Sequence, residues 1–104
     1  MNSMDYGITE EEWQQIRDIL RGNSQVGKAI LFGSRVKGTY KPFSDVDLTL
    51  IGDDLTRDDL LWLYDAFYES DLPYIFDLSL FRQIKNEELI DHINRRGVVV
   101  YKGE

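Results

Sequence analysis

The chain has no cysteine, and among its 104 residues only one histidine, His92. Without thiols there are no disulfides and no thiolate metal sites, and one imidazole cannot build a zinc site that needs several. Basic residues are also short: twelve Lys and Arg against nineteen Asp and Glu leave a net charge of −7 and a pI near 4.6. A protein that grips long nucleic acid by its phosphates carries a basic face. The balance here points instead to a small anionic ligand neutralised by metal, or to a basic protein partner. No apolar run reaches the roughly 18–20 residues needed to cross a bilayer, so no membrane is expected. Met1 to Asp5 lack the charged-then-apolar pattern of a secretory leader, so a cytoplasmic location is expected. With two prolines, no repeats and no low-complexity tract, one domain is expected over residues 1–104.

Carboxylates and aromatics are what the chain has in quantity. The thirteen Phe, Trp and Tyr residues within a 42% hydrophobic composition suffice for one compact core. Asp and Glu are the only plentiful metal ligands, and they suit hard ions such as Mg²⁺.

Element signals are clear. Thr9 and Glu12 have the spacing of a capping box, Ile8 and Trp13 that of a hydrophobic staple. Trp13, Ile16, Ile19 and Leu20 then form a helical stripe that Gly22 ends. Lys28 to Phe32 reads as a strand broken at Gly33 and Ser34, and Arg35 to Ser44 as a turn of helix plus loop. Val46 to Ile51 is the plainest strand, with Val46, Leu48 and Leu50 on one face and Asp45, Asp47, Thr49 and Ile51 on the other. Thr56 caps a helix to about Ser70, with Leu60, Leu63, Tyr64 and Phe67 inward. A strand from Tyr74 to Phe81 contains a single charge, Asp77. A last helix from Asn86 to Arg96 is expected to bury Leu89, Ile90 and Ile93, and Val98 to Tyr101 makes a closing strand. The resulting fold class is α+β, a small mixed sheet of about four strands with helices packed on it.

Three features call for a joint explanation: Gly33 with Ser34, Asp45 with Asp47, and Asp77. Residues two apart on a strand share a face, about 6.6 Å apart at roughly 3.3 Å per residue. Two carboxylates so placed can converge on one ion, or hold two ions about 4 Å apart. Aspartate is a poor strand residue, yet both strands carry it. At about 5 Å and an effective dielectric near 20, each pair repels by roughly 3 kcal/mol, and a cation is the simplest remedy. Beside them, Gly33 lets backbone N–H groups approach an anion at a helix start. Ser34 adds a hydroxyl, and Arg35 a fork for phosphate. A phosphate cradle next to a carboxylate metal site is the layout that phosphoryl or nucleotidyl transfer requires.

Gly33 and Ser34, ten residues, then Asp45-Val46-Asp47 match the Gly-Ser-x10-Asp-x-Asp signature, and the chain thereby resembles the DNA polymerase β-like nucleotidyltransferase superfamily. The run from Phe32 to Gly38, followed by Phe43 to Leu48, is similar to the minimal nucleotidyltransferases, many of them antitoxins paired with HEPN-domain toxins. The resemblance extends to Asp77 and to the closing Arg96 to Tyr101. It implies a polymerase β-like fold, with Asp45, Asp47 and Asp77 as catalytic metal ligands for two Mg²⁺ ions. It makes Asp77 the carboxylate that assists deprotonation of the acceptor, and Gly33 and Ser34 the triphosphate-binding turn; Arg35 and Ser44 are expected beside the nucleotide from their own chemistry and place in the chain. Lys37 stands where small members commonly carry arginine. The activity implied is transfer of NMP, AMP from ATP above other NTPs, to a hydroxyl, a tyrosine on a HEPN-type toxin. A nucleic-acid 3′ hydroxyl is the less favoured acceptor. The alternative is an antitoxin that neutralises its partner by docking alone.

Other signals read more plainly. Ser44, just before the acidic pair, fits a turn or cap better than a ligand. His92 lies mid-helix among polar neighbours and reads as a surface residue. Trp62, Tyr68, Tyr74 and Phe76 are candidates for an exposed apolar patch that meets a partner. The stretch Asp45 to Thr49 also fits the Asp-x-Asp-x-Thr motif of haloacid dehalogenase-like phosphatases. There, however, the apolar strand precedes the acids, whereas here it follows them.

Overall fold

The structure, a computed structural model, describes residues 4–103, so most of the stretch read for a leader lies outside the described residues. It opens on a hairpin that the sequence pattern did not announce, β1 (Met4–Asp5) and β2 (Ile8–Thr9), turned by Tyr6 and Gly7 at φ 60° and 79°. Two successive positive φ values give the turn a twist that matches paired strands. Two-residue strands are too short to leave a periodicity.

Helix α1 (Glu10–Arg21) starts at the expected capping box: Glu12 N–H donates to Thr9 Oγ1 at 3.1 Å and Thr9 N–H to Glu12 Oε1 at 3.0 Å. Its Trp13, Ile16 and Leu20 are buried. Then come β3 (Lys28–Phe32), the single turn α2 (Ser34–Lys37), β4 (Val46–Ile51) and α3 (Arg57–Glu69), capped by Thr56. After them follow β5 (Phe76–Leu80), a 3₁₀ turn (Phe81–Gln83), α4 (Glu87–Arg96) and β6 (Val98–Lys102). The third long strand is therefore shorter than the sequence suggests. Tyr74 leaves the sheet to put its hydroxyl 2.6 Å from Glu12 Oε1, and Phe81 is drawn into the turn by the Ile84 N–H bond to its carbonyl.

The sheet order is β5-β4-β3-β6, with β4 and β5 parallel and the other two pairings antiparallel. One face carries Leu31, Val46, Leu48, Leu50 and Leu78 into a core shared with α1 and α3. Strand alternation sends Phe32, Asp47 and Asp77 to the opposite face. Helix α4 covers that face over β3, with Ile93 buried against it. Leu89 and Ile90 are only half-buried, not buried as expected, because a lone helix on a partly open face has one narrow line of contact. Strand β5 is an edge. Its outward-facing Leu78 N–H donates to Tyr64 Oη at 2.8 Å, and the same hydroxyl reaches Leu78 O at 3.3 Å, which closes the groups most open to another strand.

Candidate active site

Register assembles the acidic centre. Phe32 pairs with Asp47 across β3 and β4, and Asp47 pairs with Asp77 across β4 and β5. Directly opposed residues share a face, so Phe32, Asp47 and Asp77 form one row at the uncovered end of the sheet. The parallel pairing sets the two aspartates about 4.8 Å apart, the spacing of neighbouring strands. Asp45 precedes β4 by one residue and is exposed. The next row, Ile30, Thr49 and Ser79, ends the polar ground: Thr49 is buried, and neither its hydroxyl nor that of Ser79 has a hydrogen-bond partner among the described residues.

The Gly33–Ser34 turn leans on this row. Gly33 has φ 84° and ψ −152°, a conformation that disfavours any side chain, and a Cβ there would overlap Asp47 Oδ2. Glycine is thus required twice, by the backbone angle and by the carboxylate behind it. Ser34 begins α2, whose first N–H groups have no acceptor within the helix. Gly33's own N–H donates to His92 Nε2 at 3.0 Å, and the His92 ring sits edge-on to Phe32 with centroids 6.3 Å apart. Histidine 92 is therefore half-buried against the turn and not a free surface residue, which corrects the sequence reading. Its signal was hidden because α4 reaches the turn only through the tertiary fold. Burial first, then the charges of Lys37 and Arg96, hold the imidazole below its ordinary pKa, with Asp91 opposing.

Arg35 also departs from expectation. It is 1% exposed, and its guanidinium donates to Tyr6 O at 2.7 Å, Ser44 O at 2.8 Å and Pro42 O at 3.4 Å. It lies 5.1 Å and 5.0 Å from the centroids of the Tyr40 and Tyr74 rings. A side chain enclosed in this way has no fork to offer a phosphate; it ties the N-terminal hairpin to the loop that delivers Asp45. In that loop Ser44 acts as the turn residue the sequence allowed, its Oγ accepting from Lys41 N–H at 2.8 Å.

Electrostatics set Asp47 apart. Burial, and after it the negative charges of Asp77 and Asp45, push its carboxyl up to about 6, with the Arg35 guanidinium opposing. Among the described residues no three His, Cys, Asp or Glu side chains close into a ready metal cluster. The convergence of three acids is thus partial: Asp47 and Asp77 adjoin, and Asp45 acts on them from the exposed end. An all-oxygen set whose central member resists ionisation does fit a hard divalent cation, which would relieve both the burial and the repulsion.

Beyond the acids, β5 borders a cleft of about 440 Å³ formed with the C-terminal half of α3, with Phe67 stacked on Phe76 at 4.0 Å as its floor. Of the four aromatics expected on an apolar patch, Tyr68 is 87% exposed at the cleft wall, opposite Ile75 at 68%. Tyr74 is half-buried, Phe76 is buried, and Trp62 lies elsewhere, beside Gly22.

Comparison with known proteins agrees with this geometry. Residues 14–104 match the family described as Polymerase beta, Nucleotidyltransferase. The chain is 37% identical over 101 residues to the probable protein adenylyltransferase MntA of Haemophilus influenzae, covering 93% of this chain and 85% of that protein. Its fold is similar to a crystal structure of a toxin–antitoxin with AMP-PNP, at 24% identity and TM-score 0.70 over 88% of this chain and 74% of the other. It is also similar to the MntA–HepT toxin–antitoxin, at 22% identity and TM-score 0.62 over 88% of this chain and 70% of the other. Acids in register at an open sheet end, a glycine turn packed on them and a match over nearly the whole chain have one reading: this protein is a nucleotidyltransferase and belongs to the polymerase beta nucleotidyltransferase family.

Proposed function

We propose that the protein transfers AMP from ATP to a tyrosine hydroxyl of a HEPN-type toxin and in this way serves as its antitoxin. The observation that carries the reading is the in-register Asp47–Asp77 pair with the Gly33 turn packed against Asp47. The adenylyltransferase named among its relatives supports the same reaction. In the reaction, the acceptor oxygen bonds to the α-phosphorus, the bond from that phosphorus to the bridging oxygen breaks, and pyrophosphate leaves. The hydroxyl proton passes to Asp77, which sits exposed at the sheet edge where a protein acceptor can reach it. Asp45, Asp47 and Asp77 would hold Mg²⁺, which would supply positive charge to neutralise the triphosphate and lower the pKa of the acceptor hydroxyl. Gly33 shapes the turn, and the triphosphate is oriented by the N–H groups of Ser34 and the residues after it together with the Ser34 hydroxyl.

A second reading, neutralisation by docking without transfer, is favoured by one observation, the apolar cleft walled by Tyr68 and Ile75. Labelling separates the two. With α-³²P-ATP, Mg²⁺ and the cognate toxin, label is expected on the toxin and is expected to vanish with Asp45→Asn. A stable complex that takes no label, or an Asp45→Asn protein that still neutralises the toxin, would leave docking as the function.

A further inference from the structure

We infer that His92 is a positioning residue for the nucleotide turn: by accepting the Gly33 N–H at 3.0 Å it fixes the Gly33 peptide, and through it the donors presented by Ser34. The inference deepens the nucleotidyl-transfer reading and rests on it.

Gly33 is held from three sides. Its backbone angles are open to glycine alone, its Cα abuts the Asp47 carboxylate, and its N–H is used by the imidazole. Only the third restraint comes from a distant part of the chain, 59 residues on. Phe32 fixes the ring from below by an edge-to-face contact. The nitrogen facing Gly33 must be unprotonated to accept, so the proton of the neutral ring sits on Nδ1. Burial and the Lys37 and Arg96 charges favour that neutral form.

The contact also decides which donors an anion meets. With Gly33's N–H already bonded, the turn has the Ser34 and following N–H groups left for phosphate. Without His92, the Gly33 peptide can rotate, the turn loses its approach to Asp47, and the ordering cost falls on nucleotide binding.

The test uses the intact chain as His92→Ala and His92→Gln, the glutamine supplying an amide oxygen as alternative acceptor. Two readouts are needed. Nitrogen-resolved NMR reports the Gly33 amide directly, and calorimetry reports affinity for Mg²⁺·ATP at a temperature where all variants are folded. His92→Ala is expected to lose hydrogen-exchange protection at Gly33 and to bind Mg²⁺·ATP roughly tenfold more weakly, the scale of one hydrogen bond. His92→Gln is expected to recover most of both. In turnover with the toxin, KM for ATP is expected to rise while kcat stays within about threefold, as for a group that orders the bound nucleotide. An unchanged Gly33 amide in His92→Ala, or unchanged affinity despite an altered amide, overturns the inference. So does His92→Gln behaving like His92→Ala. If the wild-type chain binds no Mg²⁺·ATP, the transfer reading falls and the positioning role with it, while the Gly33 amide still reports whether the contact exists.

Discussion

Asp47 shows how much of this protein is decided by single side chains. Its carboxyl titrates at about 6, above the ordinary value of 3.8, so the folded state binds that proton more tightly than the unfolded chain does. The associated stability is fully present below about pH 4 and is lost as pH rises through 6. In EDTA at pH 8, Asp47→Asn is therefore expected to raise the melting temperature, with little change at pH 4, and in a separate assay with Mg²⁺ at pH 8 to abolish label transfer. A lower melting temperature at pH 8 would mean that Asp47 is satisfied without metal. Arg35 makes the opposite case, a charge whose work is internal. Arg35→Ala leaves the carbonyls of Tyr6 and Ser44 without their donor, and such a loss of a buried network costs about 3 kcal/mol. Urea unfolding measures it; an unchanged midpoint with lost ATP binding would restore the phosphate fork to this residue.

At the scale of elements, the exposed edge of β5 depends on one hydroxyl. Tyr64 serves both the N–H and the carbonyl of Leu78. Tyr64→Phe is expected to cost about 1–2 kcal/mol, the value of buried polar groups left unpaired, and to promote self-association through the opened edge. Chemical denaturation gives the first effect and light scattering the second; a variant as stable and monodisperse as the parent would show that the edge needs no cover. The capping box of α1 and the Thr56 cap of α3 were readable from sequence because they are local, acting within three residues; that Asp59 completes a second box came with the structure. The start of β5 and the N-terminal hairpin were not, because Tyr74 is pulled away by Glu12, 62 residues earlier, and the hairpin strands are two residues each.

For the whole molecule, Asp77 and the apolar cleft share the β5 edge but on opposite faces of the sheet. Phe76 is turned to the cleft and Asp77, the next residue, to the acids, so a partner seated in the cleft packs against the edge that carries Asp77. Replacing Tyr68 and Ile75 together by aspartate puts charge where an apolar partner would pack. Affinity for the proposed toxin partner is expected to fall at least tenfold, with Mg²⁺·ATP binding unchanged, since neither side chain belongs to the proposed nucleotide site. Surface-plasmon binding beside calorimetry checks both; intact toxin affinity would move the docking surface elsewhere. Among the described residues no helix is long and apolar enough to cross a membrane.

By itself the sequence determined the long helices, three of the four long strands nearly to the residue, and the family to which the chain belongs. These follow from hydrophobic period, local caps and the anomaly of aspartate in strands, each acting over a few residues. Which acids meet was decided only by tertiary structure, since the parallel β4–β5 register that opposes Asp47 to Asp77 depends on how α3 packs. So were the fates of Arg35 and His92. An arginine after a glycine turn and a histidine on a polar helix look solvent-facing in one dimension. Burial beneath Tyr40 and Tyr74 turned one into a brace, and the packing of α4 over β3 brought the other to Gly33.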